Sequence, residues 1–171
     1  SGALSCSDVG RRVRLGGDLQ TYIHSRLEKG GHKILLMTHV IVGYPSLDAN
    51  RKMLSYMAAA DVDLVELQMP FSEPVADGPT FVRANQEALA SGLRVDDYFD
   101  FVEEAGQLCD FPRLMMGYYN PVYQMGHERF CERLRQAGSA GFILPDLPIE
   151  EYDDLFELSE QNELEPILLM T

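Results

Sequence analysis

Short apolar runs alternate with segments of helical periodicity along almost the whole chain, and this alternation constrains the fold more than any other feature. The runs predict five strands, at residues 34–42, 62–67, 113–117, 141–144 and 167–170. The first two are apolar on both side-chain faces, which is typical of strands buried within a parallel sheet. The alternation therefore predicts an α/β fold, either closed as a (βα)8 barrel or left as an open doubly wound sheet.

The segments between the predicted strands carry apolar residues three and four positions apart, which predicts helices. Asp18 is a candidate N-cap for a first helix that stops at Gly30-Gly31, and Ser46 for a second over residues 47–60. Further helices are predicted near residues 81–90, 95–102 and 130–137 and from Pro148 onward. No glycine-rich nucleotide-binding motif follows any predicted strand, which disfavours a dinucleotide-binding open sheet.

Length and charge narrow the class of protein. The chain has 171 residues, 46% of them hydrophobic, which is enough for one domain with its own core. Its formal net charge of −13 argues against a nucleic-acid partner, because phosphate-backbone binders carry surplus Lys and Arg. No apolar run approaches the roughly 20 residues of a transmembrane helix, so no membrane partner is expected. Cys6, Cys109 and Cys131 are widely spaced, which predicts reduced thiols in a cytoplasmic protein and argues against a structural zinc site.

The first 17 residues differ from the rest of the chain. Arg11, Arg12 and Arg14 stand among Ser and Gly, without the apolar core of a secretory signal. We interpret residues 1–17 as a flexible or expression-derived segment, with the remnant of a transit peptide as the alternative. Residues 18–171 are then the folded domain.

A carboxylate at the end of the second predicted strand is the first candidate for chemistry. Strand alternation places Leu64, Glu66 and Gln68 on one face, which would be the interior of a barrel. A carboxyl group among apolar neighbours is costly to ionise, and a general acid that works near neutral pH needs that property. The alternative is a Glu that reaches solvent or pairs with a Lys or Arg.

A second carboxylate lies in the loop that follows this strand. Residues 70–79 contain three prolines, which restrict the backbone and indicate a shaped loop at the active face. Asp77 precedes Gly78-Pro79 and is therefore also a candidate for a turn residue or helix N-cap. Because catalytic groups of parallel α/β folds gather at the carboxyl ends of strands, Asp77 becomes a candidate partner of Glu66.

Four motifs resemble the tryptophan synthase α subunit family. The longest and most specific is the stretch at residues 65–79, which holds both carboxylates. The others are Gly43-Tyr44-Pro45, Tyr118-Tyr119-Asn120-Pro121 and the segment at residues 144–148. The resemblance extends from about Leu19 to Thr171 without large gaps. It implies a (βα)8 TIM barrel of which this chain covers about five of the eight βα units. We therefore expect a fragment of a longer protein, or else a half-barrel completed by oligomerisation.

The resemblance also implies an activity. Members of this family cleave indole-3-glycerol phosphate to indole and glyceraldehyde 3-phosphate in tryptophan biosynthesis, without a metal or cofactor of their own. Their catalytic Glu corresponds to Glu66, which would serve as acid and then base. Their catalytic Asp corresponds to Asp77, which would stay ionised and hold the indole N–H. The family's phosphate site lies in loops after later strands, so no residue here is assigned to it.

The family's partner is a PLP-dependent β subunit that receives the indole. The resemblance implies that this subunit contacts the loop after the second strand together with the third strand's loop. The residues concerned are Pro70, Phe71, Ser72, Glu73, Pro74, Asn120 and Pro121.

Several positions depart from the family pattern around the expected pocket. Gln68 stands in place of Gly, His39 in place of an aromatic residue, Ile41 in place of Thr, and Tyr44 in place of Asp. Glu73 replaces an Asp in the loop. We assign substrate-binding positions to His39, Gln68 and Tyr118, with His39 and Tyr118 as wall or hydrogen-bonding residues. The Gln68 amide is expected to crowd the substrate or to bond Glu66.

Three functions therefore remain open. The first is the indole-3-glycerol phosphate lyase itself. The second is an α-like regulatory partner that activates the β subunit without catalysis. The third is a related lyase on a modified indole, to which His39 and Gln68 would make new polar contacts.

Overall fold

A five-stranded parallel sheet forms the centre of the molecule. The computed structural model of the protein describes residues 19–30 and 34–169. The strands are β1 (Met37–Ile41), β2 (Leu64–Gln68), β3 (Arg113–Met116), β4 (Gly141–Ile143) and β5 (Glu165–Ile167). Their order in the sheet is β1-β2-β3-β4-β5, and every neighbouring pair is parallel. Strands that follow one another in sequence order are arranged as in a barrel, since a doubly wound sheet reverses its order at a switch point.

Helices connect the strands and cover the outer face of the sheet. They are α1 (Leu19–Gly30), α2 (Leu47–Ala59), α3 (Pro79–Ala90), α4 (Val95–Leu108), α5 (Tyr119–Met125), α6 (His127–Gln136) and α7 (Tyr152–Gln161). Each predicted helix is present. The short α5 was not predicted, because Pro121 was taken as part of a loop motif. It lies in the first turn of α5, where a missing N–H costs no helical hydrogen bond. The helix predicted from Pro148 is divided, since a 3₁₀ turn at Ile149–Glu151 precedes α7.

The predicted strands are right in number and order but wrong at several ends. β1 and β2 begin later than the apolar runs do, and β2 extends to Gln68. Before β1, the backbone N–H of Leu36 donates to the Asp63 carboxylate at 2.9 Å instead of to a strand. An apolar run indicates which residues are buried, whereas a strand ends where its backbone no longer hydrogen-bonds to a neighbouring strand. The ends of the run and of the strand therefore differ.

The fifth strand shows the largest displacement. It was predicted at residues 167–170, but β5 spans Glu165–Ile167, and Met170 lies outside the described residues. Pro166 lies inside β5 and pairs with Phe142 on β4. Proline is tolerated here because, among the described residues, β5 has a neighbouring strand on one side only, so one side of its backbone has no ladder to complete.

The two faces of β2 have the environments that strand alternation predicts. Val65 and Leu67 are buried against the helices, and the Tyr98 hydroxyl of α4 donates to the Leu67 carbonyl at 2.8 Å. Leu64 faces the other way and packs with Leu114 of β3 among others. This inner face, which would line a barrel, therefore carries Glu66 and Gln68.

The prediction that the first strand is fully buried is wrong. Only the second half of β1 is buried, while Met37 is 46% exposed and the preceding Ile34 is 82% exposed. Within the part of the chain that the structure describes, β1 and β5 have a neighbouring strand on one side only. Burial on both faces requires neighbours on both sides, so apolar residues at these edges remain open to solvent. The segment at residues 1–17 lies outside the described residues.

Candidate active site

Strand register brings His39 and Glu66 together on the inner face of the sheet. The two residues are direct partners in the β1–β2 ladder, and Ile41 is the partner of Gln68 one step further along. Side chains at partnered positions of parallel strands point to the same face. A residue of β1 and one of β2 that are 27 positions apart in the chain thus become neighbours.

The Glu66 carboxylate is held by His39. Its Oε2 lies 2.8 Å from Nδ1 of His39, and both side chains are mostly buried, at 18% and 24% exposure. The expectation that Glu66 lies among apolar neighbours alone is therefore wrong: the inner face supplies a polar partner. The Phe81 ring of α3 meets the imidazole edge-on at 5.0 Å. His39 is therefore a hydrogen-bonding residue of the inner face, and its place at the wall of a substrate pocket stays a prediction.

Gln68 is fully buried and connects the histidine to the second carboxylate. Its Oε1 lies 2.7 Å from Nε2 of His39, and its Nε2 donates to Oδ2 of Asp77 at 2.8 Å. Of the two predictions for the Gln68 amide, a bond to Glu66 is not what the structure shows, because the amide contacts His39 and Asp77 instead. Crowding of the substrate stays a prediction. Gln68 is the last residue of β2, so its side chain points to the loop that carries Asp77.

Asn85 completes this set of side chains, and the sequence analysis did not identify it. It is fully buried on α3; its Nδ2 contacts Oδ2 of Asp77 at 3.3 Å, and its Oδ1 accepts the Phe71 N–H at 3.0 Å. A polar residue between Ala84 and Ala88, which are both buried, was the available signal. We call Glu66, His39, Gln68, Asp77 and Asn85 the inner network.

Tyr118 closes one wall of the site. Its ring stacks on Phe71 with centroids 5.3 Å apart, and its hydroxyl oxygen accepts the Ala76 N–H at 3.1 Å. Burial raises the pKa of Tyr118 to about 12, with the nearby Asp77 carboxylate adding to the shift. The phenol is therefore neutral at physiological pH. It positions the loop between β2 and α3 rather than supplying a proton.

The residues expected to face a partner differ in their exposure. Ser72, Glu73 and Asn120 are exposed, whereas Pro70 and Pro74 are buried. Phe71 and Pro121 are half-buried. Ser72 and Glu73 lie next to Phe71 in the loop after β2 and Asn120 lies two residues after Tyr118, so the stacked rings bring the two segments together.

No group of three or more His, Cys, Asp or Glu side chains in residues 19–30 and 34–169 is arranged to hold a metal ion. None of the helices described is long and apolar enough to cross a membrane.

Parallel βα units in sequence order define a barrel-type α/β protein, and its candidate site joins a carboxylate of β2 to one of the following loop. The sequence model of the tryptophan synthase alpha chain family matches residues 26–171. The chain belongs to this family.

Two similar proteins agree with this assignment. The tryptophan synthase alpha chain of Syntrophotalea carbinolica is 46% identical over 151 residues, which are 88% of this chain and 59% of the relative. That of Desulfotalea psychrophila is 48% identical over 144 residues, 84% of this chain and 57% of the relative. The chain thus spans less than two thirds of the length of these relatives.

Solved structures show the same fold. An open form of tryptophan synthase from Mycobacterium tuberculosis matches with a TM-score of 0.80 and 31% identity, covering 88% of this chain and 59% of that one. A mutant tryptophan synthase α subunit from Pyrococcus furiosus matches with a TM-score of 0.73 and 27% identity, covering 77% and 54%. The fold is a TIM barrel, of which this chain forms five parallel strands.

Proposed function

We propose that this chain carries the acid–base centre of a carbon–carbon lyase that cleaves indole-3-glycerol phosphate to indole and glyceraldehyde 3-phosphate. The observation that supports it most is the inner network. It joins Glu66 and Asp77, two carboxylates of a strand and its following loop, through two intervening side chains. Family membership supports the same reaction.

The reaction needs one group that gives a proton and then takes one back. Glu66 delivers its proton to C3 of the indole, which makes the ring cationic and weakens the bond to the side chain. The resulting carboxylate then removes the proton of the hydroxyl on the adjoining carbon. The carbon–carbon bond breaks, its electrons return to the ring, and the hydroxyl carbon becomes the aldehyde. The proton count is unchanged over the cycle.

Asp77 has a different task in this proposal. As a carboxylate it accepts the indole N–H and stabilises the positive charge that develops on the ring. Gln68 and Asn85 both contact the same oxygen, Oδ2, so the carboxylate is held in one orientation before the substrate binds. Such preorganised charge is most effective in a site that excludes water.

The contacts of His39 and Gln68 disfavour a modified indole as substrate. Both ring nitrogens of His39 have partners within the inner network, and so does the amide nitrogen of Gln68. These groups are therefore committed to protein partners. We therefore propose the unmodified indole as part of the substrate, with Tyr118 and His39 at the wall of its pocket.

A PLP-dependent tryptophan synthase β subunit is the proposed partner, and the cytoplasm the proposed compartment. Ser72 and Glu73 on the loop after β2 and Asn120 in the first turn of α5 present exposed polar groups, and they are the residues proposed to contact it. Pro70 and Pro74 are buried and would shape the loop.

The test measures indole release from indole-3-glycerol phosphate by the full product of the gene, with and without a β subunit. We expect Glu66→Gln to lower kcat about 10²–10⁴-fold, the range for loss of a general acid–base group. Glu103→Gln, on the exposed face of α4 outside the inner network and the proposed interface, is the matched control and should keep kcat. Wild-type protein that releases no indole but accelerates the β subunit would contradict the lyase and support the regulatory alternative.

A further inference from the structure

The inner network contains a histidine whose two ring nitrogens both face oxygen atoms. Nδ1 lies 2.8 Å from Oε2 of Glu66, and Nε2 lies 2.7 Å from Oε1 of Gln68. A neutral imidazole has one N–H donor and one bare nitrogen acceptor. Two oxygen neighbours are therefore one more than a neutral histidine can satisfy by itself.

The orientation of the Gln68 amide determines which ring nitrogen of His39 carries hydrogen. The amide nitrogen faces Oδ2 of Asp77 at 2.8 Å and Oδ1 of Asn85 at 3.5 Å, and both are acceptors. Asn85 is oriented in turn by Phe71, whose N–H donates to Oδ1, and by Phe81, whose carbonyl accepts from Nδ2. A flipped Gln68 amide would place its oxygen against both acceptors. The Gln68 carbonyl therefore faces His39, and Nε2 of His39 must be the donor.

The number of protons on the Glu66–His39 pair therefore depends on the contact between Nδ1 of His39 and Oε2 of Glu66. If Nε2 carries hydrogen and the ring is neutral, Nδ1 is bare and faces Glu66 at 2.8 Å. An ionised Glu66 would then place two lone pairs against each other. Only a proton between the two atoms removes this repulsion, either on Glu66 as the carboxylic acid or on Nδ1 as the imidazolium. Both arrangements have the same total charge.

We propose that His39, anchored by Gln68, retains one proton on the Glu66–His39 pair and thereby keeps Glu66 ready as the acid. His39 and Gln68 are positioning residues, which act through Glu66. This inference rests on the proposed lyase for its use in catalysis, but the protonation of His39 is a separate observable. The charged groups around His39 are consistent with this proposal. Within the described residues, His39 forms an ion pair with Glu66 only, and Asp77 is joined to it through Gln68. Helix α3 contributes two uncharged side chains, Phe81 against the imidazole and Asn85 against the Gln68 amide.

The same arrangement serves the second half of the reaction. After the pair has given its proton to C3, the carboxylate of Glu66 faces the bare Nδ1, which is the unfavourable state described above. Glu66 is then a stronger base than a solvated carboxylate at the step where the substrate hydroxyl must lose its proton. Taking that proton restores the pair, so the cycle needs no proton from solvent.

The first test observes His39 directly in the full product of the gene. Imidazole ¹⁵N chemical shifts distinguish a bare nitrogen from a protonated one, and His39→Gln identifies the His39 signals. We expect Nε2 of His39 to carry hydrogen at neutral pH, because it faces the Gln68 carbonyl oxygen at 2.7 Å. A bare Nε2 overturns the proposal. This measurement is decisive even if the protein releases no indole, an outcome that would contradict only the proposed lyase.

The second test compares two substitutions by the pH profile of kcat/KM for indole release. Gln68→Met keeps the side-chain length but removes the carbonyl, so His39 can place its hydrogen on Nδ1 and Glu66 can stay ionised. The alkaline limb should then move to lower pH by about one unit. Asn85→Leu is the matched control, since it removes the other contact to Asp77 but leaves the Gln68 carbonyl on His39. It should lower kcat without moving that limb. Equal movement in both variants would contradict the proposal.

Discussion

Buried amide side chains hold the backbone of this protein at its turns. Asn50 is fully buried on α2, where its Oδ1 accepts the Gly43 N–H at 2.7 Å and its Nδ2 donates to the Tyr44 carbonyl at 2.8 Å. Gly43 has φ +88°, a backbone conformation that residues other than glycine rarely adopt. Asn50 therefore satisfies backbone groups that the left-handed turn after β1 would otherwise leave buried without partners.

Replacement of Asn50 should destabilise the protein more than the size of its side chain suggests. We expect Asn50→Ala to lower the free energy of unfolding by about 2–3 kcal/mol, because a buried N–H and a carbonyl lose their partners at once. Ser46→Ala is the control: it removes the exposed N-cap of the same helix, at a cost of about 1 kcal/mol. Urea denaturation at neutral pH measures both. A smaller loss for Asn50→Ala than for Ser46→Ala would contradict this account.

At the scale of elements, one arginine links two neighbouring helices. Arg51 of α2 donates to both carboxylate oxygens of Glu104 on α4, from Nε at 2.6 Å and from Nη2 at 3.0 Å. The guanidinium holds the pKa of Glu104 below its ordinary value. Both side chains are more than a third exposed, so solvent screens the pair and its contribution to stability is below about 1 kcal/mol.

The pH dependence of this contribution has a definite sign. A carboxyl whose pKa is lowered in the folded state stabilises the protein fully above its unfolded pKa, and the effect is lost as pH falls through the folded value. We therefore expect Glu104→Gln to destabilise the protein at pH 7, by a difference that shrinks as the pH approaches 4. Glu103→Gln, on an exposed neighbour without an ion pair among the described residues, should show no such trend. A difference that grows on acidification would show that the lowered pKa is not the cause.

At the scale of the whole molecule, the two outer strands leave apolar side chains open to water. Leu36 before β1 and Leu168 after β5 are each about half exposed, beside edges that have a strand on one side only among the described residues. Unpaired strand edges with apolar neighbours readily pair with other chains. The outer helices carry single exposed apolar residues as well, such as Tyr56, but no open backbone ladder.

A protein of these 171 residues should therefore associate with itself through the sheet edges. We expect sedimentation velocity to show oligomers whose share rises with concentration, and Leu36→Lys with Leu168→Lys to shift the protein toward the 19.2 kDa monomer. Val95→Lys adds a charge at an exposed apolar position of α4, which packs between α2 and α6, and should leave the distribution unchanged. If the unsubstituted protein is a monomer at every concentration, this prediction is wrong.

Periodicity along the chain determined the α/β class, the number of strands and the two faces of β2, because burial repeats at the spacing of each element. The order of the strands in the sheet followed from the family resemblance. The sequence also located Glu66 and Asp77, since a long family-specific motif holds both. Only the tertiary structure decided the pairing of these groups. His39 meets Glu66 because β1 and β2 align in one register, and Asn85 reaches Asp77 because α3 folds back over its own loop. Hydrogen bonds depend on distances of about 3 Å between segments far apart in the chain, and local periodicity reports burial but not those distances.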